Sequence, residues 1–183
     1  ADANGGSLTF EGDHVSAGSL AWDVAGAIKV VGTVSSAGSF VVDAADLTLH
    51  RTVAAGSADW TIDTAVTMSD TVNVAGVFDL AADSVFANRE VVAGGLEWLV
   101  GHDVTLKADT TVTGAMGGSH IGLLRIVSAE GQIDFAGQDF DVADGHLVLS
   151  AALGLTDTIR SRAQTLTVVN RGVGGRANVT VRE

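Results

Sequence analysis

The sequence predicts an all-β fold in which the chain winds as a parallel β-helix, a solenoid of about nine coils of roughly 19 residues. Three observations predict it. A strand-like triplet recurs at a fixed interval, glycines recur as corners, and the residues between corners alternate apolar with polar. No segment shows the 3.6-residue periodicity of an amphipathic helix.

The elements follow in chain order. The triplet reads Leu8-Thr9-Phe10, then Ile28-Lys29-Val30, Leu47-Thr48-Leu49, Val66-Thr67-Met68, Val85-Phe86-Ala87 and Val104-Thr105-Leu106. From Ile28 onward each start lies 19 residues after the last. Leu124-Arg125-Ile126 follows with a slip of one, and Leu147-Val148-Leu149 and Leu166-Thr167-Val168 are read as resuming the 19-residue interval. The corner glycines Gly18, Gly38, Gly56, Gly76 and Gly94 are separated by 20, 18, 20 and 18 residues. The true unit is therefore a pair of coils, and residues 20–57 match residues 58–95 at 12 of 38 positions. A β-sandwich also has many short strands, but it requires no fixed interval, and the Asn-Gly hairpin signal is missing.

Side chains on a strand alternate between its two faces. Two, four and six residues past the corner glycines stand Leu20, Phe40, Ala58, Phe78 and Leu96; Trp22, Val42, Trp60, Leu80 and Trp98; and Val24, Ala44, Ile62, Ala82 and Val100. All fifteen are apolar and share one face, which predicts the inside. Large and small residues alternate in opposite phase along these columns, so the volume per layer stays nearly constant, as close packing requires. Trp22, Phe40, Trp60, Phe78 and Trp98 are thus expected to be structural core. A ladder of indoles stacking on sugar rings would need the opposite parity.

The outward positions of the same strand place Asp59, Asp79 and Glu97 in one column. Carboxylates at that spacing repel, so they either hold raised pKa values or share a cation such as Ca²⁺. The plainer reading is a solvated acidic face, and the glycine-rich nonapeptide of calcium-binding β-rolls is missing. No other cofactor is expected. The middle residues of the triplets, Thr9, Lys29, Thr48, Thr67, Phe86, Thr105, Arg125, Val148 and Thr167, are too mixed for an ice-binding threonine face.

Residues 110–146 break the rhythm. "GAMGGSHIG" at 114–122 reads as a widened corner, because Gly94 to Gly117 spans 23 residues, and a second slip follows before Leu147. Loops that leave a rigid scaffold tend to carry function, so Met116, His120, Glu130 and Asp134 are the candidates for ligand contact. No catalytic constellation is found: His14, His50, His102, His120 and His146 are scattered, without a metal-binding pair.

Composition bounds the function further. The chain has 183 residues, no cysteine, no proline and a formal net charge of −12, which argues against nucleic acid. Residues 1–158 hold 21 acidic and 5 basic residues, whereas residues 159–183 hold five arginines and one glutamate. That asymmetry suggests end-to-end self-association. No apolar run approaches a membrane span, and the start lacks the regions of a signal peptide, which is expected to be absent or already removed.

The stretches "VVDAADLTLHRTVAAGS" (41–57), "LVGHDVTLKADTTVTG" (99–114), "VADGHLVLSA" (142–151) and "SRAQTLTVVN" (161–170) resemble the repeats of filamentous-haemagglutinin-type adhesins. The likeness runs from about residue 8 to 170, although the secretion domain of that family and its N-P-N-G-type motif are missing. The resemblance implies a right-handed parallel β-helix, a handedness that the crossover preference shares. It implies a single segment over 1–183, excised from a larger repeat chain that is secreted or held at a bacterial surface, possessing no enzymatic activity. Two rivals stand beside this reading. The irregular coil 110–146 would recognise a glycan or host protein, or the chain would be a carbohydrate-active lyase or hydrolase. The latter usually sets Lys or Arg beside carboxylates in a cleft, and only Lys29 and Lys107 are present.

Overall fold

The computed structural model describes residues 6–102 and 104–108 with their side chains, and beyond them the backbone of ten strand segments between Asp2 and Val181. The described chain is all β, and every strand pairing in it is parallel. Three ladders run side by side. The first joins the triplets Leu8↔Ile28, Ile28↔Leu47, Leu47↔Val66, Val66↔Val85 and Val85↔Val104, which amounts to five turns of a β-solenoid. The second joins the tryptophan-bearing strands 20–24, 40–44, 58–62, 78–82 and 96–100. The third joins the short strands 14–16, 34–36, 53–55, 72–74 and 91–93. Several strands bend through a corner without a break; Val34–Leu49 supplies a rung to all three ladders.

The predicted inside is the inside. Fourteen of the fifteen apolar residues placed there are buried, and Leu20, in the first coil, is partly buried. Each indole leans onto the phenyl ring of an adjacent coil, giving an unbroken zigzag. Phe10 stacks on Trp22 at 4.5 Å, and edge contacts follow from Trp22 to Phe40 at 4.8 Å, Phe40 to Trp60 at 5.6 Å, Trp60 to Phe78 at 4.6 Å and Phe78 to Trp98 at 5.3 Å. Ala58, on the same strand as Trp60, leaves the room that the large ring and its neighbours fill. Edge-on aromatic pairs of this kind add about 0.5–1.5 kcal/mol each beyond their area.

The corners close because neighbouring coils supply the hydrogen bonds that a bend removes. Val31 N donates to Phe10 O, His50 N to Val30 O, Ser69 N to Leu49 O, Asn88 N to Met68 O and Lys107 N to Ala87 O. Between the short strand and the tryptophan strand the coils approach so closely that a Cβ on Gly56 would stand 2.5 Å from Ala37 O and 2.8 Å from Gly38 O. Here only glycine fits. In the same corner one coil below, Ser36 is the buried polar residue among the described ones, and its hydroxyl donates to Gly18 O at 2.8 Å.

The interval of 19 residues does not extend past Leu106 as the sequence suggests. Val104 and Thr105 stand in register with Ile133 and Asp134, while Leu124-Arg125-Ile126 continues the tryptophan ladder opposite Leu96-Glu97-Trp98. Leu147 and Leu166 then follow on that ladder. The triplets at 124, 147 and 166 therefore belong to another face from the triplets at 28 to 104. The reason is length. The segment between Val112 and Leu123 delays the next tryptophan-face strand until its apolar-x-apolar pattern falls almost where the other ladder's rung was due.

Candidate functional site

Outward positions of the tryptophan face form the first candidate. Asp59 pairs in register with Asp79, and Asp79 with Glu97, so the predicted carboxylate column exists. Its next register position is Arg125, which the sequence had assigned to the triplet column. A shallow depression of about 160 Å³ lies along this column, with exposed Leu99 at its rim. Among the described residues, no group of three or more histidine, aspartate or glutamate side chains is placed to hold a metal ion. The column gives a strip of negative potential on a flat sheet rather than an inward-turned ligand set.

The second candidate lies at the corner that leads from the tryptophan face to the triplets. Here the chain stacks Asp46, Thr64, Asp83 and His102 on successive coils. The Thr64 hydroxyl donates to the Asp46 carboxylate and to Ala45 O. His102 Nδ1 lies 2.5 Å from Asp83 Oδ1, and its backbone N–H donates to Asp83 O at 2.6 Å. Both side chains are about half exposed, at 52% and 45%. The contact joins side chains of adjacent coils, and at this exposure it contributes roughly 0–1 kcal/mol. A third corner contains Asp13, whose Oδ1 accepts from Thr33 N at 2.9 Å. That hydrogen bond, followed by one from the Thr33 side chain and the nearby His14, holds the Asp13 carboxyl below its ordinary value.

A second concavity, of about 570 Å³, runs along the short-strand corner. Val15, Ser35, Ala54, Asn73, Ala37 and Gly56 contribute to its wall, and among the described residues no charged side chain does. It is broad and open, and among the described residues no acid or base lines it.

No protein-family model, curated protein or solved structure matches this chain.

Of the ligand candidates, Met116, His120 and Glu130 lie outside the described residues. Asp134 sits on a strand in register with Thr105, and the structure describes only its backbone. Trp22, Phe40, Trp60, Phe78 and Trp98 are buried together in one core. The sequence reading missed the corner clasps. Their signal was present, since Asp46 precedes Thr64 by 18 residues and Asp83 precedes His102 by 19. Asp and Thr are also residues that readily satisfy bent backbone.

Proposed function

We propose that the chain is a non-catalytic shaft segment of a secreted or surface-anchored bacterial adhesin, part of a longer repeat chain of the filamentous-haemagglutinin type. In this reading the solenoid is right-handed, as nearly all parallel crossovers are. It runs to about nine coils, a rod on the order of 40 Å long at the usual strand spacing. Parallel pairings that continue past residue 106, through Leu123–Ser128, His146–Ala151 and Thr165–Asn170, support that count.

The observation that carries the proposal is where the side-chain chemistry is spent. In the described coils every phenylalanine and tryptophan except Phe86, which lies under the Lys107 ammonium, is consumed in an internal zigzag, and the corner hydroxyls and carboxylates bond the adjacent coil. What remains outside is a set of flat, mostly acidic or small-residue faces, which suits a spacer that stays dissolved outside a cell. Coil-by-coil assembly suits export of a repeat chain, since each unit needs only its neighbours.

Antibody raised against this segment is expected to label intact cells of the source organism. Labelling only after permeabilisation would overturn the surface assignment. Incubation with polygalacturonate or alginate is expected to release no product, and sustained release would replace the shaft with an enzyme.

A further inference from the structure

We infer that the solenoid packs side by side with a second copy of this chain, the acidic tryptophan face of one rod against the arginine-bearing corner of the next. The inference goes beyond the shaft reading and does not depend on it. The contact is made by the flanks of coils that have another coil on both sides.

Order along the coil places the two surfaces. Each turn runs from tryptophan strand to triplet to short strand. In a three-sided coil, the corner where triplet meets short strand lies across the core from the tryptophan face. These opposite sides carry opposite charge. Outward positions of the tryptophan face hold one carboxylate on each of five successive coils, Asp23, Asp43, Asp59, Asp79 and Glu97, and among the described residues no lysine or arginine. The four lysines and arginines among the described side chains lie elsewhere: Lys29 in a triplet, and Arg51, Arg89 and Lys107 in the corner that follows it. Lys107 is engaged by the ring of Phe86, 5.0 Å from its centroid. Arg51 and Arg89 are exposed and make no ion pair among the described residues, and the same holds for Asp43 and Asp59. Of the acids in that corner, Asp70 is turned back into it, accepting from Thr71 N at 2.8 Å and from the Thr52 hydroxyl at 3.4 Å. Asp13 is likewise held by Thr33, so Glu11 and Glu90 are the acids that oppose the contact.

Spacing fits the two surfaces together, because one coil rules both. Arg51 follows the tryptophan strand at 40–44 and precedes the one at 58–62; Arg89 follows 78–82 and precedes 96–100. In a copy displaced sideways without rotation, Arg51 therefore stands at a height between Asp43 and Asp59 of its neighbour, and Arg89 between Asp79 and Glu97. Two coils, about 9.6 Å at the usual strand spacing, separate the arginines and the two pairs of acids alike. Val41 and Leu99, 37% and 47% exposed on the same face, add apolar contact. Because the joined surfaces are unlike, the contact does not close on itself and adds rod after rod into a sheet.

Sedimentation of the 183-residue chain tests this. At about 150 mM salt, where screening acts beyond roughly 8 Å and spares contact pairs, the average mass is expected to climb with concentration past the dimer, and at about 1 M to fall. Arg51→Glu with Arg89→Glu, and Asp43→Lys with Asp59→Lys, are each expected to raise the concentration needed for half-association about tenfold, with an unchanged circular dichroism spectrum. Mixing the two double variants is expected to restore association, since each then meets a surface of opposite charge. The lysine variant moves the net charge from −12 to −8, so if general repulsion governed association it would associate more readily than the parent chain. That result would overturn the proposal. So would a monomer at every concentration, association that strengthens at about 1 M salt, or double variants that stay apart when mixed.

Discussion

Trp60 and Trp98 are completely buried, and the indole N–H of each has no hydrogen-bond partner. An orphaned donor of that kind costs about 1–3 kcal/mol, so the large ring is kept for its volume and its edge contacts rather than for its polar atom. Trp60→Ala is expected to lose about 3–5 kcal/mol in denaturant unfolding, whereas Trp60→Phe, which removes the orphan and keeps a ring, should lose about 1–2 kcal/mol. An equal loss for both would mean that the N–H matters after all. Glycines offer a paired comparison. Gly56→Ala drives a Cβ into two carbonyl oxygens of the preceding coil and should cost about 1–3 kcal/mol. Gly18→Ala, in the corresponding corner of the first coil, meets nothing within 4 Å and should leave the melting temperature nearly unchanged.

At the scale of the coil, corners differ more than strands do. Asp13 is the acid whose carboxyl is held low by its bond to Thr33. A depressed carboxyl stabilises the fold above its unfolded value, and that contribution disappears as pH falls below about 3.8 and through the folded value. Asp13→Asn should therefore flatten the acid limb of the stability profile, with the two proteins converging at the lowest pH; parallel curves would mean that the Thr33 bond is not responsible. Strand faces were legible in the sequence because alternation has period two and one wrong step would turn Trp60 outward. Four of the five turns were legible because Ile28, Leu47, Val66, Val85 and Val104 never change spacing, and the first, from Leu8, is longer by one residue. Past Leu106 the reading failed for an equally physical reason. Leu124-x-Ile126 and Val104-x-Leu106 have the same pattern, so only pairing could say which ladder each joins. Hydrogen-bond clasps such as Asp83–His102 were also hidden, since residues on different coils meet only when the coil length is known to the residue.

For the whole molecule, stability is close to a sum over neighbouring coils, so length can change where register cannot. Removing residues 58–95, two coils that match their predecessors at 12 of 38 positions, should leave a shorter folded rod with a cooperative melt. Removing residues 58–67 alone would bring outward residues into the core and should abolish that transition. If the longer deletion unfolds the chain as thoroughly as the shorter, additivity between coils is wrong. The indoles themselves offer a means of watching this. Trp22, Trp60 and Trp98 fall on alternate coils, and only Trp22, at 6%, is not wholly enclosed. Each is therefore a lamp at a known height, and a soluble quencher should dim the one near residue 22 first, reporting from which end the molecule begins to fray.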